Sequence, residues 1–309
     1  MKVLVTGGTG YLGAAIVRAL DRRGHHPIVF ARTATTARMP GTAVNGDVRD
    51  TRAVTAAAAN AEAICHTAAL VALWRRDPTE FDAINVGGLQ SVLSAMRELH
   101  LRRLVYTSSF LALPPADSPH ALTANHYQRT KVAARDLARR AAKEGVPVVT
   151  LYPGVIYGPG PATDGNLVGR LMRDQLAGKL PGAIGAELAW SFAYADDVAD
   201  AHVSALTREH VASEYNVGGI NAPQQAIYDF VREARGRPAP RRLPRSVAYT
   251  GAVLQELYSA VTGRPPLLTR GVVEIFSHDW SLDSSAAQRE LGLHVTPLHE
   301  GLSRTLAAL

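Results

Sequence analysis

Residues Met1 to Gly13, MKVLVTGGTGYLG, carry an apolar strand straight into glycines at positions 7, 10 and 13 and then into an amphipathic helix. A strand ends, the chain reverses with little side-chain bulk, and a helix N-terminus turns its free N–H groups toward an anion. Gly7 permits the tight turn, Gly10 lets the backbone approach a pyrophosphate, and Gly13 lets the helix pack closely on the sheet. Three spaced glycines alone are weak evidence. Set between Val3-Leu4-Val5 and the stripe Leu12, Ile16, Ala19, Leu20, they specify a phosphate-binding turn.

The rest of the first half keeps the same rhythm. Strands are expected at Val3–Thr6, Pro27–Ala31, Ala43–Asn45, Ala63–Thr67, Leu104–Thr107 and Val146–Leu151, and helices at Tyr11–Arg23, Thr51–Ala58, Glu80–Leu99 and Ala124–Lys143. Gly24 and Gly145 fall where helix C-caps belong. Such alternation implies an α/β fold with a doubly wound parallel sheet, whose ligands bind beyond the carboxyl ends of the strands. After Pro153 proline and glycine become frequent and the βα rhythm weakens. Helices are expected at Asp197–Leu206, Gln224–Arg235, Ser246–Thr262 and Pro297–Ala308, and Asp283 or Ser284 caps a short helix ending near Gly292. The expected organisation is a dinucleotide-binding Rossmann domain over 1–155, with a return segment near 190–218. A smaller C-terminal substrate-binding lobe is expected over 156–189 and 219–309.

A chain of 309 residues, 47% hydrophobic and 19% charged, is globular rather than disordered. Its single cysteine, Cys65, lies in an apolar strand and reads as a buried inert thiol. With no intramolecular disulfide, no secretion signal and no run long enough to cross a bilayer, the cytoplasm is the expected compartment and no membrane partner is expected. The formal charge of +6 comes from arginines scattered along helices, such as Arg135, Arg139 and Arg140, with acids interspersed. Nucleic-acid binding, which needs cations clustered on one face, is therefore not expected.

Tyr127 and Lys131 lie four apart in a helix-compatible stretch, so both project from one face. An ammonium beside a phenol is expected to lower its pKa toward useful acid–base range. Upstream, Val105-Tyr106-Thr107-Ser108-Ser109 is a strand ending in hydroxyls at the carboxyl edge of the sheet. One of those hydroxyls can hold a substrate oxygen while Tyr127 supplies or removes the proton.

With these residues in place the chain resembles the extended short-chain dehydrogenase/reductase family, of the NAD-dependent epimerase/dehydratase type. The matching segments are Thr6-Gly7-Gly8-Thr9-Gly10-Tyr11-Leu12-Gly13, Gly46-Asp47-Val48, His66-Thr67-Ala68-Ala69, Asn85-Val86-Gly87-Gly88, Thr107-Ser108-Ser109, Tyr127–Lys131, residues 152–159 and Ala195-Asp196-Asp197-Val198. They stand in family order. Within the family the chain is most similar to the dihydroflavonol-reductase-like branch, and His66–Val71, Ser108–Leu113 and His278-Asp279-Trp280-Ser281 resemble its farnesol-dehydrogenase-like members.

The resemblance implies a Ser–Tyr–Lys triad. Tyr127 would be the general acid in reduction and base in oxidation, and Lys131 would bind the nicotinamide ribose. Ser109 would hydrogen-bond the substrate oxygen, because the family places the second serine there; Ser108 alternatively bonds the backbone at the strand end. Further implied cofactor contacts are Gly7, Thr9, Gly10, Tyr11, Leu12, Gly13, Ala68, Ala69, Pro153, Gly154 and Val155. Asp47 and Val48 resemble the pair that contacts adenine, Asp47 alternatively serving as a turn residue or cap before Thr51. Asn85 is either a positioning residue near the active centre or a helix-interior amide bonding backbone.

NAD-preferring members place an acid at the end of the second strand, where this chain reads Phe30-Ala31-Arg32-Thr33. Ala31 would not repel a 2′-phosphate, and Arg32, with Arg38 as a second contact, could bind one. NADP(H) is therefore expected over NAD(H), with a plain surface charge as the other reading of Arg32. Trp190 stands about where nucleotide-sugar members carry an arginine, and an indole cannot neutralise a diphosphate. Trp74, Phe110, Tyr157, Trp190 and Leu254, with Asn166 as a polar contact, are candidates to line an apolar cleft for a ring system or prenyl-like chain. Asp196 and Asp197 suit a helix N-terminus rather than a metal, and no metal is expected. His126 faces about 100° away from Tyr127 on a helix and reads as solvent-facing.

The expected function is an NAD(P)H-dependent oxidoreductase interconverting a carbonyl and an alcohol on a fairly apolar small molecule. An epimerase or dehydratase using transient oxidation by bound cofactor is the first alternative, and a non-catalytic NADP-sensing protein the second. Glu80–Leu99 and Ala124–Lys143 are expected to pair across a two-fold axis in a homodimer.

Overall fold

The computed structural model describes residues 1–309 except 73 and 162–164. Strand β1 (Lys2–Thr6) leads into α1 (Tyr11–Arg22), followed by β2 (His26–Ala31), β3 (Thr42–Asn45), α2 (Thr51–Ala58) and β4 (Ala63–His66). A single turn, α3 (Thr79–Phe81), runs through a π-helical turn at Asp82–Gly87 into α4 (Gly88–Glu98). Then come β5 (Arg103–Thr107), α5 (His126–Lys143) and β6 (Val148–Pro153). The expected helix over Glu80–Leu99 is thus continuous in path, but it widens where Asn85 sits, a feature common at functional sites.

The remaining elements are β7 (Val155–Tyr157), α6 (Leu167–Leu176), β8 (Ala189–Tyr194), α7 (Ala195–Thr207), β9 (Glu214–Val217) and β10 (Ile220–Pro223), then α8 (Gln225–Arg235), α9 (Arg245–Thr262), α10 (Arg270–Phe276), α11 (Ser285–Leu291) and α12 (Leu298–Ala307). Seven strands form one parallel sheet in the order β3-β2-β1-β4-β5-β6-β9, the doubly wound Rossmann arrangement. The register Val3↔Ala63 to Thr6↔His66 brings the ends of β1 and β4 level. A second sheet, β10-β8-β7, starts right after Gly154, where a Cβ would lie 2.3 Å from the Ser191 carbonyl.

Alternation along the strands divides the core. Val3 and Val5 pack with α1, α7 and α11 on one face, whereas Leu4, Ile64, Leu104 and Tyr106 pack with α2, α4 and α5 on the other. Each such fully buried aliphatic side chain contributes about 1.5–3 kcal/mol. A third apolar cluster joins the second sheet to α6, α8, α10 and α12. Asp196 and Asp197 lie in the first turn of α7, where Asp197 accepts from Thr296 N at 2.7 Å and so ties down the C-terminal segment. Cys65 is buried in β4, and desolvation raises its thiol pKa.

Candidate active site

Because every strand of the large sheet is parallel, the loops after β1 to β6 gather at one edge. The first carries the glycine turn. Gly7 has φ +69, and a Cβ on it would lie 2.8 Å from the Ala68 backbone, so β1 and β4 exits nearly touch. A Cβ on Gly13 would meet the Gly7 carbonyl at 2.1 Å. Gly10 N donates to Gly7 O at 2.8 Å and caps α1 with no side-chain hydrogen bond, which leaves the first-turn N–H groups for an anion. This uncapped, side-chain-free cradle fits a pyrophosphate. The Tyr11 side chain packs toward Gly158 and Gly160, where an added Cβ would lie 3.3 Å from its hydroxyl and 2.9 Å from its ring, and its buried hydroxyl has no hydrogen-bond partner among the described residues.

Arg32 is exposed directly after β2, and it contributes to holding the Asp47 carboxyl below its ordinary range. The larger cause is Arg49, whose guanidinium donates to both Asp47 oxygens at 3.0 and 2.6 Å. Asp50, not Asp47, caps α2. Val48 is buried against Gly88 of α4. Asn85 accepts from Leu70 N at 2.7 Å and donates to Thr130 Oγ1 at 2.9 Å and Leu70 O at 3.3 Å. It therefore pins the segment after β4 to α5 beside Tyr127.

Beyond β5, Ser109 caps a short turn by accepting from Leu111 N at 3.2 Å, which leaves its own O–H to donate. Ser108 does not bond the backbone. Its buried hydroxyl adjoins that of Tyr106, whose raised pKa it partly offsets, and the residue lines the same space as Ser109. Asn125 caps α5 and accepts from Gln128 N at 2.8 Å, fixing the turn that carries Tyr127. One turn on, the buried Lys131 donates to Thr107 O at 3.2 Å. Its Nζ lies 5.9 Å from the Tyr127 ring centroid and 5.7 Å from that of Tyr106.

The electrostatics differ from the sequence-based expectation. Burial pushes the Tyr127 phenol up to about 12, only partly opposed by the Ser109 hydroxyl, and burial draws Lys131 down to about 8. Desolvation outweighs whatever the ammonium one turn away contributes, and the net shift of the phenol is upward. Behind it, His66 hydrogen-bonds Thr6 Oγ1 through Nδ1 at 2.7 Å and stacks on Tyr106. Burial, reinforced by Lys131, lowers His66 to about 3. His202 donates from Nδ1 to Val198 O at 2.7 Å and accepts from the Thr107 hydroxyl at 2.8 Å. Burial lowers it to about 4. Both imidazoles are neutral supports; His66 stands at the head of a segment that carries the family resemblance, with no role read for its side chain, and His202 has no sequence pattern around it.

Ser108, Ser109, Tyr127, Pro153, Gly154 and Val155 open onto one cavity of about 330 Å³. Its far walls are apolar: Leu167, Ile184, Leu268, Val272, Ile275 and Phe276 among them, with Arg170 at the margin. Phe110 and Trp190 line it as expected, their centroids 5.9 Å apart, and the Trp190 indole donates to His278 O at 3.3 Å. Four other expected contact residues lie elsewhere. Tyr157 is fully buried and packs edge-on against Phe192 and Tyr194. Asn166 is buried as the cap of α6, accepting from Gly169 N at 3.1 Å and donating to Gly158 O. Trp74 faces a separate hollow with Arg75 and His126, and Leu254 is exposed on α9. The residues from α10 and the loop before it were missed because that stretch lacks a sharp period.

A parallel sheet with an uncapped glycine turn and adjoining hydroxyl-bearing cavity defines a dinucleotide-dependent Rossmann enzyme. The chain belongs to the NAD dependent epimerase/dehydratase family, whose model matches residues 3–218, and with its relatives it is an NAD(P)-dependent oxidoreductase of the extended short-chain dehydrogenase/reductase type. It is 30% identical to the sterol demethylase protein B of Methylococcus capsulatus, over 99% of this chain and 98% of that protein. It is 28% identical to a putative dihydroflavonol 4-reductase of Synechocystis, over 97% of this chain and 92% of that protein. The crystal structure of gox2253 superposes with a TM-score of 0.82 at 25% identity, covering 99% of this chain and 97% of that one.

Proposed function

We propose that this enzyme interconverts a carbonyl and an alcohol on an apolar small molecule, using NADP(H). The observation that carries the reading is that the Ser109 and Tyr127 hydroxyls face the same apolar cavity at the carboxyl edge of the sheet. The cofactor, when bound, supplies or accepts the hydride. Ser109, whose hydroxyl adjoins the Tyr127 phenol, donates its O–H to the substrate oxygen and fixes its position. Tyr127, a phenol protonated at neutral pH and held so more firmly by desolvation, gives its proton to that oxygen in reduction and takes it back in oxidation. Lys131 sits one turn behind and supplies positive charge toward the ribose and the phenol.

Gly7, Gly10 and Gly13 would cradle the pyrophosphate, with backbone of Thr9, Tyr11, Leu12, Ala68 and Ala69 alongside and Asp47 and Val48 toward adenine. Arg32 and Ala31 support the 2′-phosphate preference. The second sheet with α6, α8, α10 and α12 would form the substrate lobe. The sterol-directed name of a full-length relative supports a ring-bearing substrate, and a cavity of about 330 Å³ is within the usual range for such ligands. Trp190, buried in the wall, argues against a nucleotide-sugar diphosphate and hence against the epimerase reading.

The test is incubation of the enzyme with NADPH and a panel of cyclic and long-chain ketones. Stoichiometric loss of NADPH with alcohol formation is expected. Substrate conversion with no net change in cofactor would instead establish an epimerase or dehydratase.

A further inference from the structure

The large apolar side chains left on the surface concentrate on one helix. Val247, Leu254, Leu257, Tyr258 and Val261 of α9 are between 49% and 87% exposed. At about 100° per residue they fall within an arc of about 100° on one side of the helix. The opposite side, through Ala248 and Ala252, packs on Val273. The only charges on α9 are Arg245 and Glu256, which are paired with Glu274 and Arg270, each at 2.6 Å. A helix on a globular surface ordinarily turns its apolar face inward. Here the larger apolar face is turned out.

The expectation of scattered arginines fails at this place. Residues 235–245 hold Arg235, Arg237, Arg241, Arg242 and Arg245, and no acid occurs between Glu233 and Glu256. Beyond the other end of α9, Arg264 donates to Tyr258 Oη at 3.3 Å, and Arg76 stands beside Gly263. Among the described residues, no carboxylate lies within ion-pairing distance of Arg76, Arg241, Arg242 or Arg264. Leu267 links this surface to the active site: it is 85% exposed yet lines the mouth of the apolar cavity with Leu268 and Val71.

We propose that α9 and the loop carrying Leu267 dock on an anionic lipid bilayer, seating the cavity mouth against the membrane so that an apolar small molecule passes between lipid and cavity without crossing water. The helix lies in the interface, apolar stripe in the acyl boundary and arginines at the headgroups. No helix among the described residues is long and apolar enough to cross the membrane. A second copy of the chain fits this face less well, because apposed copies bring arginine clusters together, whereas anionic headgroups neutralise them. The transfer of substrate rests on the apolar-substrate reading; the docking does not.

The test is co-sedimentation of the full-length protein with vesicles of phosphatidylcholine alone or mixed with phosphatidylglycerol, alongside light scattering in their absence. Binding to the mixed vesicles is expected, weakened about tenfold or more both by the pair Leu257→Glu, Val261→Glu and by the pair Arg241→Glu, Arg242→Glu. Thermal melts of these surface variants unchanged from wild type would show that the fold is intact. Absence of vesicle binding, binding indifferent to both pairs, or a solution dimer that the Leu257, Val261 pair splits without any vesicle binding would each overturn the proposal. None of these readouts requires turnover, so a failed ketone screen leaves the docking test intact.

Discussion

The Lys131 ammonium stands 5.9 Å from the centre of the Tyr127 ring and donates to the Thr107 carbonyl at 3.2 Å. It is one helical turn from the phenol, but in a buried site its own charge is the costlier to maintain. That explains why Lys131 falls to about 8 while Tyr127 stays near 12. Reduction needs a protonated phenol beside a positive lysine, so kcat for ketone reduction should decline as pH rises through about 8, and Lys131→Met should lose that limb along with most of the rate. Stability moves the other way. The folded pKa is below the ordinary 10.5, so the unfolded chain binds the extra proton between the two values, and the cost of burying Lys131 shrinks from pH 8 toward 10.5, while the buried Cys65 thiol and tyrosine phenols, all raised, pull stability down at the upper end of that range. Chemical denaturation across this window should show the stability difference between wild type and Lys131→Met moving in favour of wild type as pH rises, since the other buried groups are common to both.

The acid limb should belong to the buried imidazoles. His66 and His202 are held at about 3 and about 4 against an ordinary 6.5. Below pH 6.5 the unfolded chain protonates first, so folding stability drains away by up to about 1.4 kcal/mol per pH unit for each histidine until pH approaches its folded pKa. His202→Gln should lower stability at neutral pH yet make the decline between pH 6.5 and 4 shallower. An equally steep decline in that variant would show that other groups govern the acid transition.

Asn85 should matter for stability as well as rate. Its amide bonds Leu70 on one side and Thr130 on the other from inside the π-helical turn. Asn85→Ala strands the Leu70 N–H and loosens the joint beneath Tyr127, at a cost of about 1–3 kcal/mol. Denaturant titration should show that loss, and kcat should fall more than the cofactor Kd rises, because the joint positions α5 rather than the glycine turn.

Cofactor choice should turn on two adjacent residues. Ala31→Asp with Arg32→Ala places a carboxylate at the end of β2 and removes the exposed guanidinium there. The ratio of kcat/KM for NADPH to that for NADH should fall by about tenfold or more. No change in the ratio would locate the preference elsewhere.

Much of this could be read from the sequence for an identifiable reason. The β1–α1 turn and the strands of the large sheet are encoded by local spacing, and parallel topology then fixes which loops meet at one edge. Helix periodicity puts Tyr127 and Lys131 on one face and the strand end puts Ser108 and Ser109 at the sheet edge, while the triad and the choice of Ser109 rest on the family resemblance. The strands of the second sheet, β7, β8 and β10, are only three to six residues long and pair over long separations, so no local pattern places them as a separate sheet. Tyr157 and Leu254 were misjudged as cleft walls for a related reason: apolarity gives the tendency to be covered, not what does the covering. One ended in the core and the other on the outer face of α9. The ordering of the two pKa values also escaped, since spacing puts lysine and phenol on one face but says nothing about how deeply both are desolvated.

The central claim is that the Tyr127 hydroxyl delivers the proton to the substrate oxygen in the apolar cavity. Tyr127→Phe, assayed for reduction of an accepted ketone with NADPH and for NADPH binding by fluorescence, tests it directly. The expected result is a loss in kcat of about 10²–10⁴-fold with cofactor binding preserved. Turnover near the wild-type rate in that variant would contradict it.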